Sequence, residues 1–319
     1  MISGLSKEYI DRIGNVWNKR VNDKTRNAWW DSEQLIRHIN YLISGEELQG
    51  WNAGAIRKLK EIRGTYEKAV SIGCGTGSKE MQLLEQGIVE KFFCFELSDV
   101  RIRIGVEQAK KRGLENRITF FRQDFFNSDW VNDKFDLVFW DNSLHHMPDA
   151  FAAVKISKEI LKEDGVFLGN EYIGESRFQW SDEKLEYVNN LRDKLDESIF
   201  HVGNEVFPRH RKRPALEKMI QEDPSEAADS ANILPAVWKN FQNPQIVMLG
   251  GTVHMLLLDK MIRNIPDNSE LMNSLIKADD EAIHQGMSLY AFILAKKNDE
   301  ELTIFRRRNI GFIFQNYNL

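Results

Sequence analysis

An open, doubly wound and mostly parallel α/β sheet is the fold this sequence predicts, on three observations. Between Tyr66 and Tyr172, short β-branched and aromatic runs alternate with amphipathic stretches of helical period, the pattern of repeated βαβ units. The first run, YEKAVSI, ends in the glycine-rich turn GCGTG and opens a helix at Ser78. Two more strand-like runs, near 245–249 and 288–297, follow a long helical stretch and bring the expected strands to seven.

Residues 1–64 read as an N-terminal helical cap, with Ile10, Ile13, Val16 and Trp17, then Leu35, Ile39, Leu42 and Ile43, at helical spacing. Trp17, Trp29 and Trp30 are core anchors or part of a lid. Residues 65–175 form the ligand-binding core: strands YEKAVSI, KFFCFE, RITFFR, KFDLVFW and GVFLGNEY, with helices from Ser78, Ser98 and Pro148. Gly113 is placed to end the second helix, and Asp149 to cap the third. Residues 176–243 are a helical insertion on the substrate side. It holds a charged helix over 181–198, the basic PRHRKRP over 208–214, and a helix expected to start at Asp223-Pro224. Residues 244–298 supply the closing strands around helices at 253–264 and 268–285. The tail, 299–319, joins three arginines to aromatic residues, which leaves a subunit contact and docking on its own domain both open.

A chain of 319 residues that is 42% hydrophobic can bury a large core. A net charge of −5 argues against nucleic acid as the main partner. With only Cys74 and Cys94, and no apolar run long enough to span a bilayer, a reduced cytoplasmic setting is expected.

The stretch AVSIGCGTGSKE carries the most chemistry. Its glycines let the backbone turn sharply and bring N–H groups to a ligand at a helix N-terminus. The second strand ends in Glu96-Leu97, where a carboxylate can accept from both hydroxyls of a ribose. The third runs into FFRQDFF, which puts Asp124 and Phe125 at the carboxyl edge: an acid for an adenine amine and a ring to cover it. A nicotinamide site would want a third glycine where Ser78 stands, and a second βαβαβ half.

In order and spacing these pieces, with FDLVFWDNSLHHMPD at the fourth strand and LKEDGVFLGNEY at the fifth, resemble the class I S-adenosylmethionine-dependent methyltransferases. The resemblance implies a seven-stranded, mostly parallel sheet with an N-terminal helical cap and helical insertions. It also implies S-adenosyl-L-methionine as cofactor, at Gly73, Cys74, Gly75, Gly77, Glu96, Leu97, Asp124, Phe125 and Asp141. Many members carry an acid near the start of the glycine motif, and Val70, Ser71 and Ile72 offer none. Contact with the methionine amino group then falls to backbone carbonyls or Asp141.

WDNSLHHMPD, between the fourth strand and its helix, reads as a metal site, an acid/base site or a packed loop. Adjacent histidines on an extended loop point apart, and no further ligand stands at recognisable spacing, so no metal is expected. The resemblance places His145 or His146 at the acceptor, with a general base among its roles. Glu171 and Tyr172, after the fifth strand, are taken as facing the substrate, with Arg177 and Trp180 beyond them. GNEYIGESRFQWSD is similar to loops of bacterial methyltransferases of surface-polysaccharide and glycan modification, which implies a sugar or sugar-nucleotide acceptor. Arg209 and Arg211 of the basic segment are candidate phosphate forks, against a solvated basic face. The expected reaction is methyl transfer to O or N of a small molecule. A non-catalytic scaffold of the same fold and a protein or RNA methyltransferase are the alternatives, and a homodimer is left open.

Overall fold

The computed structural model describes residues 6–21 and 29–298; the tail at 299–319 lies outside them. Seven strands make one sheet: β1 Tyr66–Ile72, β2 Val89–Glu96, β3 Ile118–Arg122, β4 Phe135–Asp141, β5 Leu161–Tyr172, β6 Gln245–Met248 and β7 Tyr290–Lys296. Their order is β3-β2-β1-β4-β5-β7-β6. The first five run parallel, and β7 lies antiparallel between β5 and β6. The order reverses between β1 and β4, so the crevice for a ligand opens at the carboxyl ends of those strands.

Burial on both faces explains the apolar strands. In β4, FDLVFWD, every residue before Asp141 is buried, as a central parallel strand requires. Trp140 keeps its indole N–H satisfied at 3.0 Å from Ser157 Oγ. One face packs against α2 (Glu33–Ser44), α3 (Ala53–Ile62) and α4 (Ser78–Glu85); the other packs against α6 (Ala150–Glu159) and α9 (Ile233–Asn240). The edge away from the crevice is tied by Asp136, which accepts from Lys68 N, Lys162 Nζ and Arg63 Nη1.

The expected caps form: Gly113 takes φ 68°, and Asp149 accepts from Ala152 N at the start of α6. The charged insertion helix is shorter than expected, α7 (Asp182–Arg192). The helix expected from Asp223-Pro224 is absent. α8 (Leu216–Glu222) ends there, and a run of turns follows until Ser230. The Asp223 carboxylate is spent on Arg20 and Ser225 instead of on a helical turn, and Ala227 adopts a left-handed φ of 47°. Around 252–264 the backbone forms a π-helix, Thr252–Leu258, and a 3₁₀ turn, Asp259–Asn264. Asp279 of α10 (Glu270–His284) fixes its start by accepting from Gly251 N, Val253 N and His254 Nδ1.

α1 (Lys7–Arg20) lies across the carboxyl ends of the strands. Its Gly14 sits so close to Leu97 that an added Cβ would stand 2.8 Å from the Leu97 carbonyl oxygen. Asn18 bonds Asp99 and Ser98 at the start of α5 (Asp99–Lys111). On its other side Tyr9 donates to Pro224 O, and Arg12 donates to Ile220 O and Gln221 O. Replacing Gly14 with Leu is therefore expected to force α1 outward at a cost of about 1–3 kcal/mol. Thermal unfolding checks it; an unchanged midpoint would show that α1 does not pack there.

A buried acid from α4 lies against the start of the glycine motif. Ser71 Oγ donates to Glu80 Oε1 at 2.6 Å, and Glu80 is buried with Oε2 lacking a partner among the described residues. Burial raises its pKa to about 7, against the pull of Ser71 and Lys79. A folded pKa above the unfolded 4.5 means that stability from the neutral carboxyl is present below pH 4.5 and lost as pH rises through 7. Glu80→Gln should thus gain on the wild type between pH 5 and 8.5, by up to about 3 kcal/mol. Urea unfolding at both pH values reads the difference, and equal offsets would mean that Glu80 is charged throughout.

Candidate functional site

A cavity opens where β1, β2 and β4 end. β1 contributes Ile72 and Gly73, β2 contributes Phe95, Glu96 and Leu97, and the turn after β3 contributes Asp124, Phe125 and Phe126. Asn142, Ser143, His146 and Met147 line it after β4, Ser225 closes one end, and Ile13 and Trp17 of α1 form the roof.

The glycine turn lies at its floor. Gly73, Gly75 and Gly77 all have φ between 60° and 73°, where a side chain is strained. Only Gly73 borders the cavity, and an added Cβ there would meet Ser143 at 2.8 Å. Cys74, Gly75 and Gly77 shape the turn from behind. Glu96 Oε2 accepts from Gly75 N, and Oε1 accepts from Leu97 N and Ser98 N, all at 2.8–2.9 Å. Burial raises its pKa; Arg101 and the three amides pull the other way. Arg101 also lies over the Trp17 ring, 4.1 Å from its centroid. Asp124 caps the next turn through Phe126 N, while Phe125 is buried edge-on to Phe95.

Asp141 stands outside the cavity lining. Its Oδ1 accepts from Lys79 at 2.5 Å and from Asn142 at 2.8 Å, and Oδ2 is buried with no partner among the described residues.

The histidine turn at the other end of the cavity is built on Glu171. It is fully buried, and its carboxylate accepts from Ser143 N and Leu144 N at 2.8 Å and from His145 Nδ1 at 2.8 Å. That pulls Leu144–His146 into a 3₁₀ turn. The expectation that adjacent histidines diverge is corrected here: a 3₁₀ turn replaces the extended loop, and the two rings lie 4.2 Å apart. Glu226, from the insertion, stands 3.6 Å from His145 Nε2, so the three side chains offer atoms within 4.8 Å of one another. Burial opposes charge on His145, but Glu171 and Glu226 outweigh it and raise its pKa. His146 goes the other way, lowered by burial and by the neighbouring imidazolium. Of the pair, only His146 borders the cavity.

The remaining expected residues lie elsewhere. Tyr172 and Trp180 are interior: Trp180 Nε1 donates to Tyr172 Oη at 3.1 Å, and Tyr172 donates to Glu175 O. Glu171 likewise sits beneath the histidine turn and does not line the cavity. Arg177, at φ 58°, pins the insertion turn through Glu226 O and Ala227 O. Arg209 pairs with Asp193 and Glu197, and Arg211 with Asp259. The cavity-lining Ser225 and Arg101, and Glu226 beside them, carried no motif; they reach the site only through tertiary packing.

These groups suit an adenosyl sulfonium. An apolar slot between Phe95, Leu97 and Phe125 carries the acids Glu96 and Asp124, and the orphaned Asp141 oxygen is an acceptor for an ammonium. Glu96, Asp124 and Gly73 would hold the cofactor, which supplies an electrophilic methyl on a cationic sulfur.

Comparison with known proteins agrees. Residues 66–281 match the family model described as a methyltransferase domain. Over 180 residues the chain is 26% identical to a protein-lysine N-methyltransferase of Saccharomyces cerevisiae, covering 51% of this chain and 72% of that one. It is 24% identical over 157 residues to 27-O-demethylrifamycin SV methyltransferase of Amycolatopsis mediterranei, covering 49% of this chain and 53%, about half, of that relative. In fold it is similar to a geranyl diphosphate C-methyltransferase from Streptomyces coelicolor, crystallised with Mg2+, geranyl diphosphate and S-adenosyl-L-homocysteine. The TM-score is 0.50 at 15% identity, over 92% of this chain and 99% of that one. The chain belongs to the methyltransferase-domain family, as a class I S-adenosylmethionine-dependent methyltransferase.

Proposed function

We propose that this chain methylates an oxygen or nitrogen of a small hydroxylated molecule, of which a sugar is the favoured case. The observation that carries this reading is the roofed cavity: one space joins the Glu96 and Asp124 end to His146 and Ser225, and Ile13 and Trp17 of α1 border it. A roof of that kind suits a small acceptor better than a lysine on a folded protein. The acceptor end offers hydroxyl, amide and imidazole groups from Ser143, Ser225, Asn142 and His146, which match hydroxyls. Arg209 and Arg211, bound to their own acids away from the cavity, lend no support to a diphosphate, so the reading is a sugar without its nucleotide. Positioning and exclusion of water would supply most of the rate.

The test is mass-spectrometric detection of methyl incorporation over a panel of free sugars and other small polyols, with a lysine-bearing protein in parallel. Turnover of small acceptors supports the proposal; methylation of the protein alone overturns it. The donor site is tested separately by calorimetry. Glu96→Ala should weaken S-adenosylhomocysteine binding about 10- to 100-fold, because three amides and a ribose lose a charged acceptor. An unchanged dissociation constant would remove Glu96 from the site. Gly73→Val should abolish binding at a position where both φ and Ser143 exclude a side chain.

A further inference from the structure

We infer that His146 is the general base, acting through Nε2, and that Ser225 and Asp223 fix it in the required tautomer with Arg20 of α1 behind them. This rests on the acceptor being a hydroxyl or amine, as proposed. The assignment comes from counting donors.

Asp223 is buried, with Oδ2 bound to Arg20 Nη1 at 2.5 Å. A carboxylate paired with a guanidinium is an acceptor only. Its Oδ1 takes Ser225 N at 3.0 Å and Ser225 Oγ at 2.7 Å. Ser225 has one hydroxyl proton, and that contact uses it. The same Oγ lies 3.2 Å from His146 Nδ1. Two lone pairs would repel there, so Nδ1 must carry the proton and Ser225 must accept it. His146 is then a neutral Nδ1–H imidazole, and its lone pair is on Nε2. Burial and the imidazolium of His145, itself held between Glu171 and Glu226, both disfavour a second charge and outweigh the pull of Glu226, Asp223 and Glu171.

In the reaction the acceptor oxygen gains a methyl and its O–H bond breaks. The proton goes to His146 Nε2, which becomes imidazolium and later loses that proton to solvent. The sulfur of the donor keeps the electron pair of the broken S–CH3 bond. A weakly basic imidazole suffices, since the hydroxyl grows strongly acidic as the new bond forms.

Three of the residues involved come from distant parts of the chain: Arg20 from α1, His146 from the turn after β4, Ser225 from the insertion. Trp17 stands one turn before Arg20 on α1 and meets the His146 ring edge-on at 5.1 Å. The helix that roofs the cavity thereby also anchors the base. Ser225 and Asp223 are positioning residues; His146 touches the acceptor side of the cavity.

Nitrogen-15 spectra of histidine-labelled protein with S-adenosylhomocysteine read the tautomer without any acceptor. The expected result for His146 is a protonated Nδ1 and a bare Nε2. A bare Nδ1, or two protonated nitrogens, overturns the inference whatever the enzyme methylates. Ser225→Ala should shift His146 towards the Nε2–H form and lower kcat by about 10- to 100-fold. Its affinity for S-adenosylhomocysteine should stay within about twofold, since Ser225 lies at the end of the cavity away from Glu96 and Asp124. Wild-type spectrum and kcat in this variant would also overturn it. Arg20→Gln should move the same resonances part of the way. Failure of every acceptor to turn over would instead count against the proposed function and leave the tautomer result standing.

Discussion

A carboxylate with no access to water has to be surrounded by donors, and Glu171 at the end of β5 gathers them from one short turn. Three backbone amides, of Ser143, Leu144 and His145, and an imidazole N–H converge on it. Each such bond to a charged acceptor is worth about 1.5–3 kcal/mol, and removing the acceptor would orphan all of them. The chain after β4 therefore has to curl as Leu144–His146 and cannot run on extended. Everything at the acceptor end follows: His145 turns inward to Glu171, and His146 is left facing the cavity. One anion under the turn decides which of two adjacent histidines meets a ligand.

The second constraint is α1. A helix that packs through Gly14 on the Leu97 carbonyl cannot be thickened there, and its two flanks are hydrogen-bonded to different walls of the crevice. Most of these hydrogen bonds are exposed or half-buried, so α1 is held less firmly than the strands of the sheet.

Much of the floor was legible in the sequence, because its rules are local. Strand and helix periods between Tyr66 and Tyr172, the glycine turn, Asp149 and Gly113 follow from propensity and capping, and each forms where expected. Position along a strand also brought Glu96 and Asp124 to the crevice. The acceptor wall was not legible in that way. Ser225 and Glu226 lie about 80 residues from the histidines, on a stretch whose composition suggested a helix. Arg20, which pairs with Asp223 and Glu226, lies about 200 residues before them. Glu80, which accepts from Ser71, is hidden for the same reason. Tyr172 and Trp180 show the converse error: a phenol and an indole after a strand end suggest a ligand, but here each satisfies the other.

The basic segment shows why composition misleads about charge. Arg192 is buried at 1% exposure, and a guanidinium there needs acceptors on every side. It donates to the carbonyls of Pro208, Arg209 and Leu257, so the PRHRKRP stretch is wrapped around it as a source of oxygens. The arginines of that stretch then lie on the outside, where Asp193, Glu197, Asp259 and Asp182 pair with them. Its clustering is a consequence of burying one cation, with the other charges compensated locally. The cationic sulfur of the donor gains from this arrangement. Were those guanidiniums to line the acceptor side, they would raise the cost of bringing a sulfonium into the same space. The lining contributed by Asn142, Ser143, Met147 and Ser225 carries no charge, and the guanidinium of Arg101, the one arginine among the described residues of the lining, is set beside Glu96 and over the Trp17 ring.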